Sequence, residues 1–196
     1  EELPRGALDG IDVVYHLAAL AAEGLSMFAP TINATRNFVA FSRLISEAVE
    51  ADVKRFVFTS SMAVYGHNPN LPFDESQPAS PSDPYGIAKA SCEQMLQVYG
   101  KQFNMDYVIL RPHNVFGARQ NMADPYRNVI GIFLRQILEG KPLTVYGDGR
   151  QSRAFSHIDD IVGCIADAGF SGEVNREIIN LGGAQPRSTQ ASIVAK

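Results

Sequence analysis

Within "DPYGIAKAS", residues 83–91, Tyr85 stands four positions before Lys89. Four residues advance an α-helix by about 400°, so on a helix the two side chains share one face. A free tyrosine, with a pKa of about 10, is a poor base at neutral pH. An ammonium close by stabilises the phenolate and lowers that value. Ser61, at the end of "VFTSS", would hold a substrate oxygen in line. Together Ser61, Tyr85 and Lys89 form a device for removing or returning a proton on an alcohol that is being oxidised. The spacing alone is common on helix surfaces, where it gives only a surface pair. Its setting is what singles it out: it follows a strand ending in serines and a long loop, and it precedes a strand ending in "RPHNVFG".

The elements that must position these residues follow from hydrophobic pattern. "IDVVYHLAAL" (11–20) and "KRFVFTSS" (54–61) are β-branched or aromatic apolar runs, as expected of buried parallel strands. Between them, Phe38, Phe41, Leu44, Ile45 and Ala48 recur at helical spacing, which predicts one crossover helix from Thr31 to Glu50 and hence a βαβ unit. After Ser61, the prolines and polar residues of "GHNPNLPFDESQPASPSDP" exclude a regular element. A helix is predicted from Ser82 to Phe103, started by Asp83 and Pro84, and a third strand over 106–112. Beyond it lie a helix at 128–139, a short strand "LTVY" (143–146), an extended "RAFSH" (153–157), a helix at 158–169 and a last strand at 177–181. This alternation predicts an α/β fold, a doubly wound parallel sheet with an added smaller lobe. In such sheets ligands collect outside the carboxyl ends of the strands, where His16, Ser60 with Ser61, and His113 with Asn114 all fall.

Composition narrows the partners. With 196 residues, 45% of them apolar, the chain can bury a substantial core. A net charge of -4 argues against a nucleic-acid binder. Between Arg111 and Arg153, however, six arginines and one lysine face three acidic residues, a local excess of +4. That excess fits either a solvated face or a site for a phosphorylated ligand, since arginine forks suit phosphate. No apolar run has the length of a membrane span and the first residues lack the order of a signal peptide, so a soluble, cytoplasmic protein with no membrane partner is expected. Cys92 and Cys164 have no C-x-x-C spacing and are expected as buried reduced thiols, with no metal site. Ser156, His157, Asp159 and Asp160 are near-consecutive and straddle a helix start, where capping suits them better than a hydrolase triad.

The ordered strings "VFTSSMAVYG", "DPYGIAKAS", "LRPHNVFGARQN", "LTVYGDGRQSRAFSHIDDI" and "INLGG" resemble the extended short-chain dehydrogenase/reductase family, in its NAD-dependent epimerase/dehydratase branch. The resemblance runs from Ile11 to Gly183 and is strongest to UDP-glucose (UDP-galactose) 4-epimerases. It implies a partial Rossmann-type sheet, with residues 1–112 and 155–170 forming the NAD-binding portion and 113–154 and 171–196 a smaller α/β substrate-binding lobe. It implies NAD as cofactor, a nucleotide sugar as substrate and a homodimer. By the same resemblance Ser61, Tyr85 and Lys89 are catalytic. His16, Leu17, Ala18, Ala19, Asn37, Ser60, Pro112 and His113, with Tyr85 and Lys89, line the cofactor. Ser61, Asn114, Asn128, Thr144, Tyr146 and Arg153 bind the substrate, Asn114 and Arg153 at its diphosphate, with Arg119 a further partner for that charge.

Several positions depart from the family pattern. The glycine-rich strand-turn-helix that seats the pyrophosphate of NAD does not occur in this sequence, and the "GDG" at 147–149 precedes extended rather than helical sequence. The resemblance begins just before the family's fourth strand, so roughly 60 residues of the Rossmann half are expected to be missing, and the strand at 11–17 to lie at a sheet edge. Ala40 and Phe41 replace a glycine and a small hydroxyl, and Ala154 replaces an aspartate. Met62 and Ala63 stand where dehydratases of the branch carry Asp-Glu, which favours epimerisation at C4 over 4,6-dehydration. A truncated, non-catalytic nucleotide-sugar binder, or another dehydratase or reductase of the branch, is the alternative.

Overall fold

The computed structural model describes Pro4 and residues 6–126, 128–150 and 153–182; the part of the expected substrate lobe at 183–196 lies outside the described residues. The chain forms two compact units, Glu1–Arg111 with Cys164–Asn180, and Pro112–Gly163 with Leu181–Lys196.

The first unit is organised by a four-stranded sheet. Its strands β1 (Val13–His16), β2 (Arg55–Thr59), β3 (Asp106–Pro112) and β6 (Glu177–Leu181) lie in the order β1-β2-β3-β6. The pairs β1-β2 and β2-β3 are parallel, with His16 opposite Phe58 and Thr59 opposite Leu110. The carboxyl ends of three strands therefore reach one edge, which carries His16, Ser60 and Arg111. Side chains alternate across a strand. Val14, Phe56, Phe58 and Ile109 face one way, into a core completed by Phe41, Ile45, Ala48, Cys92 and Leu96. Tyr15 faces the other way and donates to Ala166 O at 2.5 Å, while Arg55 donates to Ala168 O and Ser171 O. Both faces of the sheet are covered, as the continuous apolar strands require.

The crossover is more elaborate than one helix. It comprises α1 (Glu23–Phe28), α2 (Pro30–Ala34), a π-helical turn at Thr35–Val39 and α3 (Ala40–Glu50). Apolar spacing located α3, where Phe41, Ile45 and Ala48 are buried one turn apart. It gave no sign of the π turn, which places an extra residue in the helical circuit and reorients the side chains within it. Asn37 is its buried residue.

Ser61 caps a 3-10 turn, Met62–Tyr65, and helix α4 (Pro84–Gln102) begins beyond the connecting segment. Asp83 caps α4 by accepting from Gly86 N at 2.9 Å, and Pro84 fills the first helical position, where its missing N–H costs nothing. Gly86 lets the start of α4 lie directly on the 3-10 turn: a Cβ there would stand 2.6 Å from Ala63 O.

In the second unit, β4 (Asn114–Phe116) pairs in parallel with β5 (Phe155–His157), beside α5 (Val129–Leu138) and the start of α6 (Ile158–Asp167). Three sequence expectations change here. Residues 143–146 form no strand: they are largely exposed and tethered by Thr144 to Gln136, so β-propensity finds no ladder to join. Residues 155–163 group with this unit because β5 pairs with β4, and 171–180 with the first because β6 joins its sheet. Cys164 is exposed rather than buried, because α6 turns Ile161 and Ile165 inward and Cys164 lies off that stripe, whereas Cys92 is buried. Among the described residues no helix is long and apolar enough to cross a membrane, and no group of three or more His, Cys, Asp or Glu is placed to hold a metal ion.

The Gly86 contact gives a direct test. Gly86→Ala pushes its methyl into a backbone carbonyl that cannot swing aside, and should cost roughly 1–3 kcal/mol of stability in chemical denaturation. A variant as stable as the wild type would show that α4 is not seated on the Ser61 turn.

Candidate active site

Strand β2 ends at Thr59, and the chain then turns sharply. Ser61 is extended, and its Oγ accepts from Ala63 N at 3.1 Å, which fixes the hydroxyl at the head of the 3-10 turn. Tyr85 is the second residue of α4 and is buried. Its backbone N–H donates to Ser26 Oγ at 3.3 Å, and Ser26 Oγ donates to Glu23 O, so α1 buttresses the tyrosine turn.

Lys89 lies one turn further along α4 and is only 3% exposed. Its Nζ donates to Thr59 O at 2.7 Å, stands 4.7 Å from the centroid of the Phe58 ring and 5.9 Å from that of Tyr85. The predicted tyrosine and lysine are thus brought together at the end of β2. Burial pulls the ammonium down to about 8, against the opposing pull of Cys92 and Glu93. Near neutral pH it remains mostly protonated, as a cation that stabilises a phenolate must.

His16 ends β1 inside an aromatic enclosure, its ring 5.5 Å from Phe41, 6.2 Å from Phe56 and stacked 5.9 Å from Phe58. Burial, with Lys89 adding to it, lowers His16 to about 4, so the imidazole is neutral at physiological pH. Beyond it, Leu17 and Ala18 are exposed and Ala19 is half-buried. Asn37 reaches this loop from the π turn and clamps Leu20 at two points, accepting from its N–H at 2.8 Å and donating to its carbonyl at 3.3 Å. Asn37 therefore shapes the loop backbone. Ser60 is buried, and its hydroxyl donates inward to Glu93 Oε1 at 2.5 Å.

The remaining predicted residues belong to the second unit. His113 donates its N–H to Leu181 O, and burial lowers its pKa. Gly182 lies against its ring, where a Cβ would come within 3.0 Å. Asn114 donates to Ala154 O at 3.0 Å across the β4-β5 pair. Both ends of the Asn128 amide are engaged: Oδ1 accepts from Ile130 N to cap α5, and Nδ2 donates to Val115 O. Thr144 is held by Gln136 through side chain and backbone. Tyr146 is 80% exposed, and Arg153 and Arg119 are exposed. The local excess of positive charge shrinks in the fold, since Arg111 is buried against Glu93 and Lys141 and Arg150 meet Glu139 and Asp148. His157 Nδ1 accepts from Asp159 N, a helix-start contact, with Asp159 and Asp160 in the first turn of α6.

The sequence pattern pointed to neither Glu93 nor Tyr65, and it counted Arg111 only within a basic stretch. Arg111 donates to both oxygens of Glu93, through Nε at 2.9 Å and Nη2 at 2.6 Å, and through Nη1 to Tyr65 Oη at 2.6 Å. The available signal was Glu93 itself, four residues after Lys89 and so on the same face of α4.

A parallel α/β sheet whose strand β2 ends beside Ser61, with Tyr85 and Lys89 on the helix α4 packed against that end, defines a Rossmann-type fold with a polar cluster at its carboxyl edge. Comparison with known proteins makes the family specific. The chain belongs to the NAD dependent epimerase/dehydratase family, whose model matches residues 5–182. The UDP-glucose 4-epimerase of Mycolicibacterium smegmatis is 35% identical, over 81% of this chain and 50% of that protein. The UDP-N-acetylglucosamine 4-epimerase from Methanobrevibacter ruminantium, solved with UDP-N-acetylmuramic acid, superposes with a TM-score of 0.84 at 39% identity, covering 89% of this chain and 56% of that one. The UDP-glucose 4-epimerase of Thermus thermophilus, solved with NAD, gives 0.82 at 31% identity, covering 93% and 60%. The chain spans about half the length of the curated relatives it matches.

The residues present suit part of the family's cofactor. Thr59 Oγ1 is buried without a hydrogen-bond partner among the described residues, and Lys89 Nζ, bound to the same residue's carbonyl, uses one of its three N–H groups there. An unused threonine hydroxyl and an ammonium with N–H groups to spare, both at the carboxyl end of β2, have the hydrogen-bonding chemistry that ribose hydroxyls need.

His16 makes acid sensitivity testable. Its folded-state pKa lies below its unfolded value of about 6.5, so the stability contributed by the neutral ring is complete above pH 6.5 and is lost as pH falls toward 4, with a slope of up to about 1.4 kcal/mol per pH unit. Urea denaturation from pH 7 to pH 4 should show His16→Gln losing less stability than wild type across that window; parallel curves would refute a neutral buried His16.

Proposed function

We propose that this chain carries the catalytic part of an NAD-dependent epimerase acting at C4 of a nucleotide-activated sugar of the UDP-glucose type. The observation that carries the reading is the buried Lys89, held between Thr59 O, the Phe58 ring and the Tyr85 ring. NAD, when bound, supplies the acceptor and donor of hydride. Tyr85, as phenolate, takes the proton of the C4 hydroxyl as that carbon is oxidised, and returns it when the 4-keto sugar is reduced from the other face. Lys89 holds the phenolate's charge and offers its remaining N–H groups to the nicotinamide ribose. The Ser61 hydroxyl, fixed at the head of its turn, keeps the sugar oxygen in line with Tyr85. A neutral His16 adds no second cation against Lys89.

In the second unit, Asn114 and Arg153 are the proposed contacts to the diphosphate, with Asn128, Thr144 and Tyr146 toward the nucleoside and Pro112 and His113 toward the nicotinamide. Met62 and Ala63, at the start of the Ser61 turn, provide no acid to expel a C6 hydroxyl, which favours epimerisation over dehydration. A homodimer is proposed on the resemblance alone.

Tyr85→Phe in the whole protein keeps the ring and removes the proton carrier. Epimerisation of UDP-glucose should fall by roughly 10²-fold or more while calorimetric binding of UDP and of NAD stays near wild type. Substantial remaining turnover would sink the assignment, and binding of UDP without turnover by the wild type would mark a nucleotide-sugar binder instead.

A further inference from the structure

The ion pair between Glu93 and Arg111 is buried at both ends, with each residue 3% exposed. It is also the centre of a connected set of hydrogen bonds. Glu93 Oε1 accepts from Ser60 Oγ at 2.5 Å as well as from Arg111 Nε. Arg111 continues to Tyr65 Oη, its guanidinium 4.7 Å from the centroid of that ring. Tyr65 Oη donates to Asn180 Oδ1 at 2.8 Å. Asn180 in turn donates through its backbone N–H to Glu75 Oε1 at 2.6 Å and through Nδ2 to Phe73 O at 3.2 Å, and the Phe73 ring stacks on Tyr65 at 4.7 Å.

Each member occupies a telling place. Ser60 lies between Thr59, whose carbonyl holds Lys89, and Ser61. Glu93 is one helical turn beyond Lys89 on the same face of α4. Arg111 closes the part of β3 that belongs to the first unit, and Tyr65 closes the turn that Ser61 caps. A buried ion pair is weak support for stability, because desolvation of two charges offsets their attraction and apolar residues of the same volume often do as well. What apolar residues cannot do is fix direction: a bidentate fork sets angle as well as distance.

We propose that Glu93 and Arg111 are positioning residues, whose buried ion pair holds the end of β2, the lysine turn of α4 and the end of β3 in register, and through Tyr65 and Asn180 ties residues 73–75 to that register. The inference rests on the proposed role of Ser61, Tyr85 and Lys89. Among the described residues, the charged and titratable groups facing Lys89 are His16 from β1, Tyr85, Cys92 and Glu93 from α4 and, through Glu93, Arg111 from β3. Cys92 and Glu93 oppose the burial that lowers Lys89, and the Arg111 fork fixes where the Glu93 carboxylate stands.

The test compares wild type with the apolar double variant Glu93→Leu/Arg111→Met, which removes both charges together and keeps the side-chain volumes. Three quantities are read: stability by chemical denaturation, the Lys89 titration midpoint by 13Cε NMR of lysine-labelled protein, and kcat and KM on the nucleotide sugar. The expected result is a folded variant whose Lys89 midpoint is displaced by about half a pH unit or more, and whose kcat is lowered at least about tenfold with KM within about threefold. A folded variant with the wild-type Lys89 midpoint, or with wild-type kcat, overturns the proposal. Should the double variant not fold, Ser60→Ala, which removes only the link from the carboxylate to β2, is read in the same way, and an unmoved Lys89 midpoint overturns it. If the wild type shows no epimerisation, the proposed function fails, and the Lys89 titration, which needs neither substrate nor cofactor, still decides the positioning role.

Discussion

The constraint on which the first unit depends is a lysine ammonium buried against the end of a parallel sheet. Burial opposes the charge, and the fold answers with a carbonyl from Thr59, an aromatic face from Phe58 and a carboxylate from Glu93 one turn along the same helix. Each of these has a geometric demand. The carbonyl must lie at a strand end, where no ladder partner takes it; the phenylalanine must face α4 rather than the opposite layer; the carboxylate must itself be neutralised, which brings in Arg111 from the next strand. One buried cation thus places demands on a strand end, a helix face and a second buried charge at once.

Close approach does the rest. Gly86 seats the head of α4 on the Ser61 turn, and Gly66, with φ of 58°, lets the chain leave that turn against the Ser80 carbonyl, where a Cβ would stand only 2.0 Å away. The long polar stretch after Tyr65 is anchored near its middle by Phe73 and Glu75 on Asn180 and near its end by Ser80 N on Val64 O. A segment whose prolines deny it regular structure is held by side-chain and turn bonds instead.

What the sequence disclosed, it disclosed through periodicity and spacing. Strands β1, β2 and β3, the body of α3 and the whole of α4 follow from apolar runs, helical repeats and the Asp83-Pro84 start, and the Tyr85-Lys89 pair follows from four-residue spacing. Features made by pairing across long separations were not legible. The "LTVY" run has strand composition but no neighbour, whereas "NVF" at 114–116 looks like the tail of another strand and becomes a strand because 155–157 lies beside it. The π turn that aims Asn37 at Leu20 leaves no trace in a hydrophobic pattern, since the apolar residues on either side remain in phase with their own helices.

The charged residues show most plainly why composition misleads near a site. Counted along the chain, Arg111 belongs to a basic stretch suited to phosphate; in the fold it is withdrawn from solvent, and its fork is directed at Glu93 and Tyr65. Two further cations of the stretch sit beside surface carboxylates, and Arg119 and Arg153 are exposed. The same residue type thus acts in opposite ways a few positions apart. Buried and bidentate, it fixes the geometry of a strand end; exposed, it can serve as a partner for a charged ligand. A sequence records the arginine in both cases and the desolvation that separates them in neither.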